Sequence, residues 1–525
     1  MADTQGAVVA FLSNPATYGA SVSRVERIDT HISLLFLAGE RVFKLKRAVV
    51  LDFLDYGTPD KRRFYCEREV ALNRRTAPEM YLGVRAINRD ADGRLTIDGP
   101  GVAIDWVVEM VRFDTAGLFG KQADMGTLTL DLVRRAADEV AALHRAAEIV
   151  TEDRGGDEMG VAPTIDQLRD GLHRDRHVFG ADRVAEYMQS LDTAHRAQQG
   201  QLARRFGAGW VRVCHGDLHL NNICMFNGRP TLFDAAEANK RFVRIDVLYD
   251  LAFLLMDLEV RGLRGHANAA LNRYAAWGEN PHATLSGLCA MPLFQSLRAA
   301  IRAEVSVMTA GRVATADAAD HHIAGARRYF DLARKLLVPR PAALVAIGGA
   351  SGSGKTSVAR AIAPALGVVP GAVVVRSDEI RKALFGVSDM ARLPDAAYGE
   401  AWNRRTYAEM TARVEHTLAA GHACVVDAVH GVADERAEME ALAGRAGVPF
   451  HGIWLEAPEE ILRLRTERRV GDASDAGPAV VTRQLRRGFG AVGWTRVDAA
   501  ANIAVVSKTV QEILSAGPVR DCLSL

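Results

Sequence analysis

Two short stretches concentrate residue types that do chemistry. Residues 214–224 read CHGDLHLNNIC, and within them the order H-G-D-x-x-x-x-N places Asp217 five positions before Asn222. Twelve positions further, at the end of the apolar run TLF, stands Asp234. A loop with this order can aim Asp217 at a substrate hydroxyl as general base while Asn222 turns back to a metal ion, and Asp234 can bind the same ion from the far end of a hairpin. The competing chemistry is zinc. Cys214, His215, His219 and Cys224 are all ligand types, yet C-H-x3-H-x4-C lacks the paired short spacings of structural zinc sites. The flanking runs WVRV (210–213) and ICMF (223–226) explain both cysteines as small core residues beside strands.

The second stretch is GASGSGKT, residues 349–356, which fits G-x-x-x-x-G-K-[ST]. Gly349, Gly352, Ser353 and Gly354 form a tight turn whose N–H groups converge on phosphate oxygens. Lys355 adds a point charge, and the Thr356 hydroxyl is placed to ligate Mg²⁺. Further on, Asp378 sits just past an apolar run, where a base accepts the proton of an attacking hydroxyl. Arg381, one helical turn later, shares its face and can hold the acceptor. An N-cap and a solvated charge are the other account of this pair. Asp427 ends the run CVV, the place of a second acid that orders Mg²⁺ and water. Residues 462–477, LRLRTERRVGDASDAG, run from a helix rich in arginine into a polar loop, which suits a lid carrying Arg468 or Arg469 to the nucleotide phosphates. A solvated helix face is the alternative for Arg463 and Arg465.

These residues need elements to hold them. In THISLLFLAGERVFKLKR (30–47) apolar residues crowd both arms around Gly39, predicting a hairpin. Thr58 as N-cap and Pro59 at the first helical position predict a helix that Pro78 stops. GVAIDWVVEMVRF (101–113) predicts a strand running into a connector, completing a small, mostly β lobe. Helical periodicity over 125–205 and 246–336 predicts a larger helical lobe around CHGDLHLNNIC. Pro339 and Pro341 mark a linker at 338–342. After it, ALVAI (343–347), AVVV (372–375), ACVVD (423–427), FHGIWL (450–455) and NIAVV (502–506) alternate with helical segments, the pattern of a parallel sheet covered on both faces.

Bulk properties bound the function. A chain of 525 residues exceeds one ordinary core, and at roughly 100 to 200 residues per domain it holds two to four. A formal net charge of +1 excludes a chain whose main business is coating nucleic acid, so any such contact is local. The amino-terminal segment carries Asp3 and no basic region, and LAFLLM (251–256) is flanked by Asp250 and Asp257, so neither a secretory leader nor a membrane span is expected. Six irregularly spaced cysteines suit reduced thiols, and a cytoplasmic location is expected.

Over about 343–515 the P-loop, Asp378, Arg381 and the arginine-rich segment resemble the small P-loop kinases that phosphorylate hydroxyl groups, such as gluconate kinase, chloramphenicol phosphotransferase, the zeta-toxin group and polynucleotide 5′-hydroxyl kinase. The resemblance implies a five-stranded parallel sheet, ATP and Mg²⁺ on the P-loop, Asp378 as base, Arg381 on the acceptor and a lid arginine. Over about 20–330, H-G-D-x-x-x-x-N followed by Asp234 resembles the aminoglycoside phosphotransferase family, a branch of the protein-kinase-like fold. That implies an α+β bilobal domain in which Lys44 grips the nucleotide phosphates, with Lys46 one strand period away as alternative, and Glu69 rather than Glu67 as its partner. VVEM (107–110) would be the adenine-contacting connector, and Asp250 would support the catalytic loop. Two departures stand out: RIDTHIS (27–33) has no glycine where a glycine-rich loop would cover the phosphates, leaving Thr30, His31 and Ser33 as donors, and Asp234 begins Asp-Ala-Ala.

The joined arrangement is similar to bacterial proteins described as bifunctional aminoglycoside phosphotransferase/ATP-binding proteins. The expectation is a tandem kinase, with residues 1–337 as one phosphotransferase domain and 343–525 as the other, each acting on a small-molecule hydroxyl. Two alternatives are a first half that senses nucleotide without turning it over, and a second half acting on polynucleotide 5′ ends.

Overall fold

The computed structural model describes residues 4–51, 54–151, 161–313, 315–469 and 471–523. Asp3 of the leader argument and Val470 of the lid segment lie outside them. The chain forms two compact units, one of residues 1–160 with 206–254, the other of 161–205 with 255–525.

The first unit is built on an antiparallel sheet in the order Val25–Asp29, Ser33–Ala38, Arg41–Lys46, Val102–Val111, Tyr81–Arg89, Leu95–Ile97. The hairpin around Gly39 forms, with Ala38 opposite Arg41. Alternation along these strands sorts side chains to two faces. Leu34, Phe36, Phe43 and Leu45 pack with Val8 and Leu12 of the helix Thr4–Ser13. Leu37 and Val42 face Cys66 and Val70 of the helix Pro59–Asn73. Lys44 and Lys46 share the parity of Val42, so both point toward that helix. The Thr58 hydroxyl caps it by accepting the Lys61 N–H, and it ends at Asn73, ahead of Pro78.

VVEM is not a connector. Val107 pairs with Leu45, Val108 with Lys44, Glu109 with Phe43 and Met110 with Val42, and the chain leaves the sheet only after Val111. The reason is burial: Val107 fills one face of the sheet while Val108 and Met110 fill the other. Below the sheet, Val211–Val213 pairs with Arg244–Asp246, and Ile223–Phe226 with Arg229–Leu232. Asn227 and Gly228, with φ of 49° and 77°, turn the latter hairpin.

In the second unit five parallel strands run in the order Val373–Arg376, Cys424–Asp427, Leu344–Gly349, Phe450–Glu456, Thr495–Asp498. The central strand is buried along its whole length, as expected when both faces are covered. The fifth strand is not NIAVV. Asn502 accepts the Val505 N–H and starts the helix Ile503–Ala516, which buries Val506, Val510 and Leu514 at helical spacing. Helices from 161–205 and 255–336 belong to this unit too. Asn272 binds the edge strand as another strand would, donating to Ala372 O at 3.2 Å and accepting the Val374 N–H at 2.6 Å, while Asn268 donates to Ala372 O at 3.0 Å. Among the described residues no helix is long and apolar enough to cross a membrane.

Candidate functional site

In the first unit three carboxylates gather around two lysines. Lys44 Nζ lies 2.8 Å from Glu69 Oε1 and 2.6 Å from Asp234 Oδ1. Lys46 Nζ lies 2.6 Å from Glu69 Oε2 and 2.5 Å from Glu237 Oε1, which also accepts the Tyr56 hydroxyl at 2.7 Å. Burial alone would lower both ammonium pKa values, but the carboxylates outweigh it and hold both well above the lysine range. The Lys46 side chain is fully buried, whereas that of Lys44 is 12% exposed and faces the partly open Asp234. Glu67 pairs instead with Arg63 on the outer face of the helix.

Asn222 donates to the Asp217 backbone oxygen at 2.9 Å and to its Oδ2 at 3.0 Å, so the amide oxygen turns away from Asp217. His219 Nε2 stands 3.5 Å from Asp217 Oδ2. Asp250 fixes the loop by accepting the His215 N–H at 2.9 Å and the Gly216 N–H at 2.8 Å. Asp234 adopts a left-handed φ of 60°, a strained state for a residue with a side chain, and its N–H bonds the Tyr81 hydroxyl. The Asn222 amide oxygen and the Asp234 carboxylate are hard oxygen donors of the kind Mg²⁺ takes.

Zinc does not fit. The His215 ring bonds Phe233 O, Cys214 donates to Ile245 O, and Cys224 packs in the core beside Cys66. His144, Cys214 and Asp250 do bring ligand atoms within 4.8 Å of one another. Yet burial pushes the Cys214 thiol well up, and Asp250 is engaged by the two N–H groups.

In the second unit the strand Leu344–Gly349 ends in the loop and the helix Lys355–Ile362 follows. Gly352 has φ of 86°, and a Cβ there would come within 2.5 Å of Leu462 O, so the turn requires glycine. Lys355 Nζ folds back onto Gly349 O and Ala350 O, both at 3.0 Å. Thr356 donates to Asp427 Oδ2 at 2.5 Å. Arg376 donates to both, at 3.1 and 3.2 Å. The Arg376 guanidinium thus bonds both of the oxygens expected to hold Mg²⁺. Burial, helped by Arg469 and Arg376, pulls the Lys355 ammonium down against the opposing carboxylates of Asp427 and Asp378. Burial also pushes the Asp378 carboxyl up.

Arg381 is buried, donates to Ala397 O at 2.8 Å and stacks on Tyr398. Arg468 closes the helix Glu459–Glu467 as its C-cap. Sequence reasoning passed over Glu237, Tyr56, Arg376, Lys382, Asp472 and Asp475. Only the polar run GDASDAG hinted at the last two, and it suggested a loop rather than a partner.

Residues 344–489 match the family model of an AAA domain. Uncharacterized proteins of Mycobacterium tuberculosis (strain H37Rv) and Mycobacterium bovis are each 27% identical over 462 residues, covering 85% of this chain and 87% of the relative. A choline/ethanolamine kinase family protein from Mesorhizobium loti is similar over 63% of this chain and 98% of its own, at 14% identity and a TM-score of 0.37. A gluconokinase from Sinorhizobium meliloti 1021 is similar over 34% and 94%, at 23% identity and a TM-score of 0.24. The chain joins an α+β part built on a six-stranded antiparallel sheet to an α/β part whose P-loop follows the central strand of a five-stranded parallel sheet, within the residues matched to the AAA domain.

Proposed function

We propose that the chain is a tandem phosphotransferase that moves the γ-phosphoryl group of ATP to hydroxyl groups of small molecules, with a separate site in each unit. The observation that supports it is a repeated constellation: a lysine, a pair of oxygen donors and a separate carboxylate, assembled once from Lys44, Asn222, Asp234 and Asp217, and once from Lys355, Thr356, Asp427 and Asp378. Bound MgATP supplies the transferable group and the leaving diphosphate. Glu69 orients Lys44 toward Asp234, and Asn222 orients the Asp217 carboxylate, which takes the acceptor proton. In the second unit Asp378 has that role, with Arg381 beside it on the acceptor side. The domain limits 1–337 and 343–525 remain the working division of labour.

A screen of metabolites, antibiotics and a 5′-hydroxyl oligonucleotide for ATP consumption tests this on the full-length chain. Asp217→Asn should abolish one class of hits and Asp378→Asn the other, each by about 10² to 10⁴ in rate. Turnover unchanged in both variants would sink the assignments.

One observation favours a second reading of the first unit. The Thr30 hydroxyl is used within its own turn, donating to Ser33 O at 2.9 Å and accepting the Ser33 N–H at 3.0 Å, where a phosphate-covering loop was expected. A unit that binds nucleotide and regulates its neighbour would give nucleotide binding lost in Lys44→Ala, with no hit assigned to Asp217.

A further inference from the structure

The loop between the helices Glu459–Glu467 and Pro478–Arg487 brings Asp472, Ser474 and Asp475 onto residues 376–398, the stretch that contains Asp378. Both Asp472 oxygens lie 3.2 Å from Arg376 Nη2. The Ser474 side chain hydrogen-bonds the Asp378 carboxylate. Asp475 accepts from Lys382 Nζ at 3.2 Å, the Leu393 N–H at 3.0 Å and the Tyr398 hydroxyl at 2.9 Å. Three donors from three segments converge on one carboxylate, and one of them, Lys382, is 1% exposed. A buried ammonium with a backbone N–H and a phenol around it is a built anion pocket. Arg381 borders it, its guanidinium 5.0 Å from the Tyr398 ring centroid and its buried Nε without a partner among the described residues. The pocket exceeds what the loop needs for its own shape, since Asp472 already closes the turn by accepting the Ser474 N–H at 2.9 Å. Gly471 adopts a left-handed φ of 68° in this loop, and among its described residues Ala473 is the buried one.

We propose that Asp475 fills the subsite for an acidic group of the acceptor, so that the P-loop site takes a hydroxyl compound carrying a carboxylate or phosphate, whose anion displaces Asp475. The subsite follows from geometry alone; its link to catalysis rests on the reading of Asp378 given above. In that step the acceptor oxygen bonds the γ-phosphorus as its proton passes to Asp378, and the bond from that phosphorus to the β,γ-bridging oxygen breaks, releasing ADP.

The test is a calorimetric titration of the full-length chain, with a non-hydrolysable ATP analogue and Mg²⁺ present, using glycerate, glycerol 3-phosphate and glycerol as probes. Asp475→Asn should bind glycerate, glycerol 3-phosphate or both about tenfold more tightly than the parent chain, with glycerol unchanged. Asp475→Glu, which keeps the charge, should match the parent, and adding Lys382→Met to Asp475→Asn should erase the gain. The two anions separate a carboxylate subsite from a phosphate subsite. No gain, an equal gain for glycerol, or a gain that survives Lys382→Met would overturn the proposal. Binding is read without turnover, so this result stands apart from whether phosphoryl transfer is found.

Discussion

Glu69 divides one carboxylate between two ammonium groups, Oε1 to Lys44 and Oε2 to Lys46, and the two lysines differ in what lies on their other side. Lys44 meets Asp234 at the open edge, whereas Lys46 is sealed against Glu237 and Tyr56. Lys44→Ala is therefore expected to remove nucleotide binding by this unit with a modest loss of stability. Lys46→Ala leaves the buried Glu237 carboxylate without its ammonium partner and should cost about 3 to 5 kcal/mol, read by denaturant unfolding. Asp378 gives a pH prediction. Its carboxyl titrates above the usual range because burial raises it, and the Ser474 hydrogen bond opposes that rise. Activity assigned to the P-loop site should fall as pH drops through this raised value, and Ser474→Ala should move the acid limb to higher pH. A limb unmoved by Ser474→Ala would count against Asp378 as the titrating base. Strand parity in the sequence put Lys44 and Lys46 on one face but could not tell depth, because the residues that bury Lys46 come from positions 56 and 237.

Among the elements, the readable ones are those whose signal is local. The hairpin at Gly39, the helix capped by Thr58 and four of the five parallel strands follow from short-range patterns. The fifth strand, Thr495–Asp498, buries only Val497 and so carries no apolar run, while NIAVV carries one and is a helix because Asn502 caps it. The attachment of helix Arg264–Trp277 to the edge strand is equally silent in sequence, since it depends on the amides of Asn268 and Asn272. Asn272→Ala leaves the Val374 N–H without its partner and should destabilise the second unit by about 1 to 3 kcal/mol in denaturant unfolding, with the first unit unaffected.

For the whole molecule, the proline-marked linker at 338–342 records where the β rhythm begins, not which helices the sheet packs with. His422 sits 2.9 Å from Leu288 O, Ser286 Oγ 2.9 Å from His416 Nδ1, and Arg273 2.5 Å from Asp389. Residues 343–525 expressed alone should therefore melt well below the second unit of the intact chain, measured by calorimetry. A second global handle is Glu304 on the helix Met291–Ala310, buried where Gly171 leaves room for its carboxylate, with a pKa raised to about 8 by burial. The folded state keeps a proton that the unfolded chain releases from about pH 4.5 upward, so this residue's contribution falls between there and about pH 8 and then levels off. Glu304→Gln should flatten that slope and raise stability at pH 9, by no more than about 5 kcal/mol and on the order of 2.

The bonds that Asn272 makes to Ala372 and Val374 have one more effect. An open sheet ends in rows of unpaired backbone groups that can template a foreign strand, and the bare edge of Val373–Arg376 would be such a seed. A side-chain amide already seated there denies that place to another chain, while the opposite border, Thr495–Asp498, shows solvent a threonine, an arginine and an aspartate. Losing Asn272 should thus be felt not only as weaker folding but as a tendency of concentrated protein to assemble into β-rich aggregates.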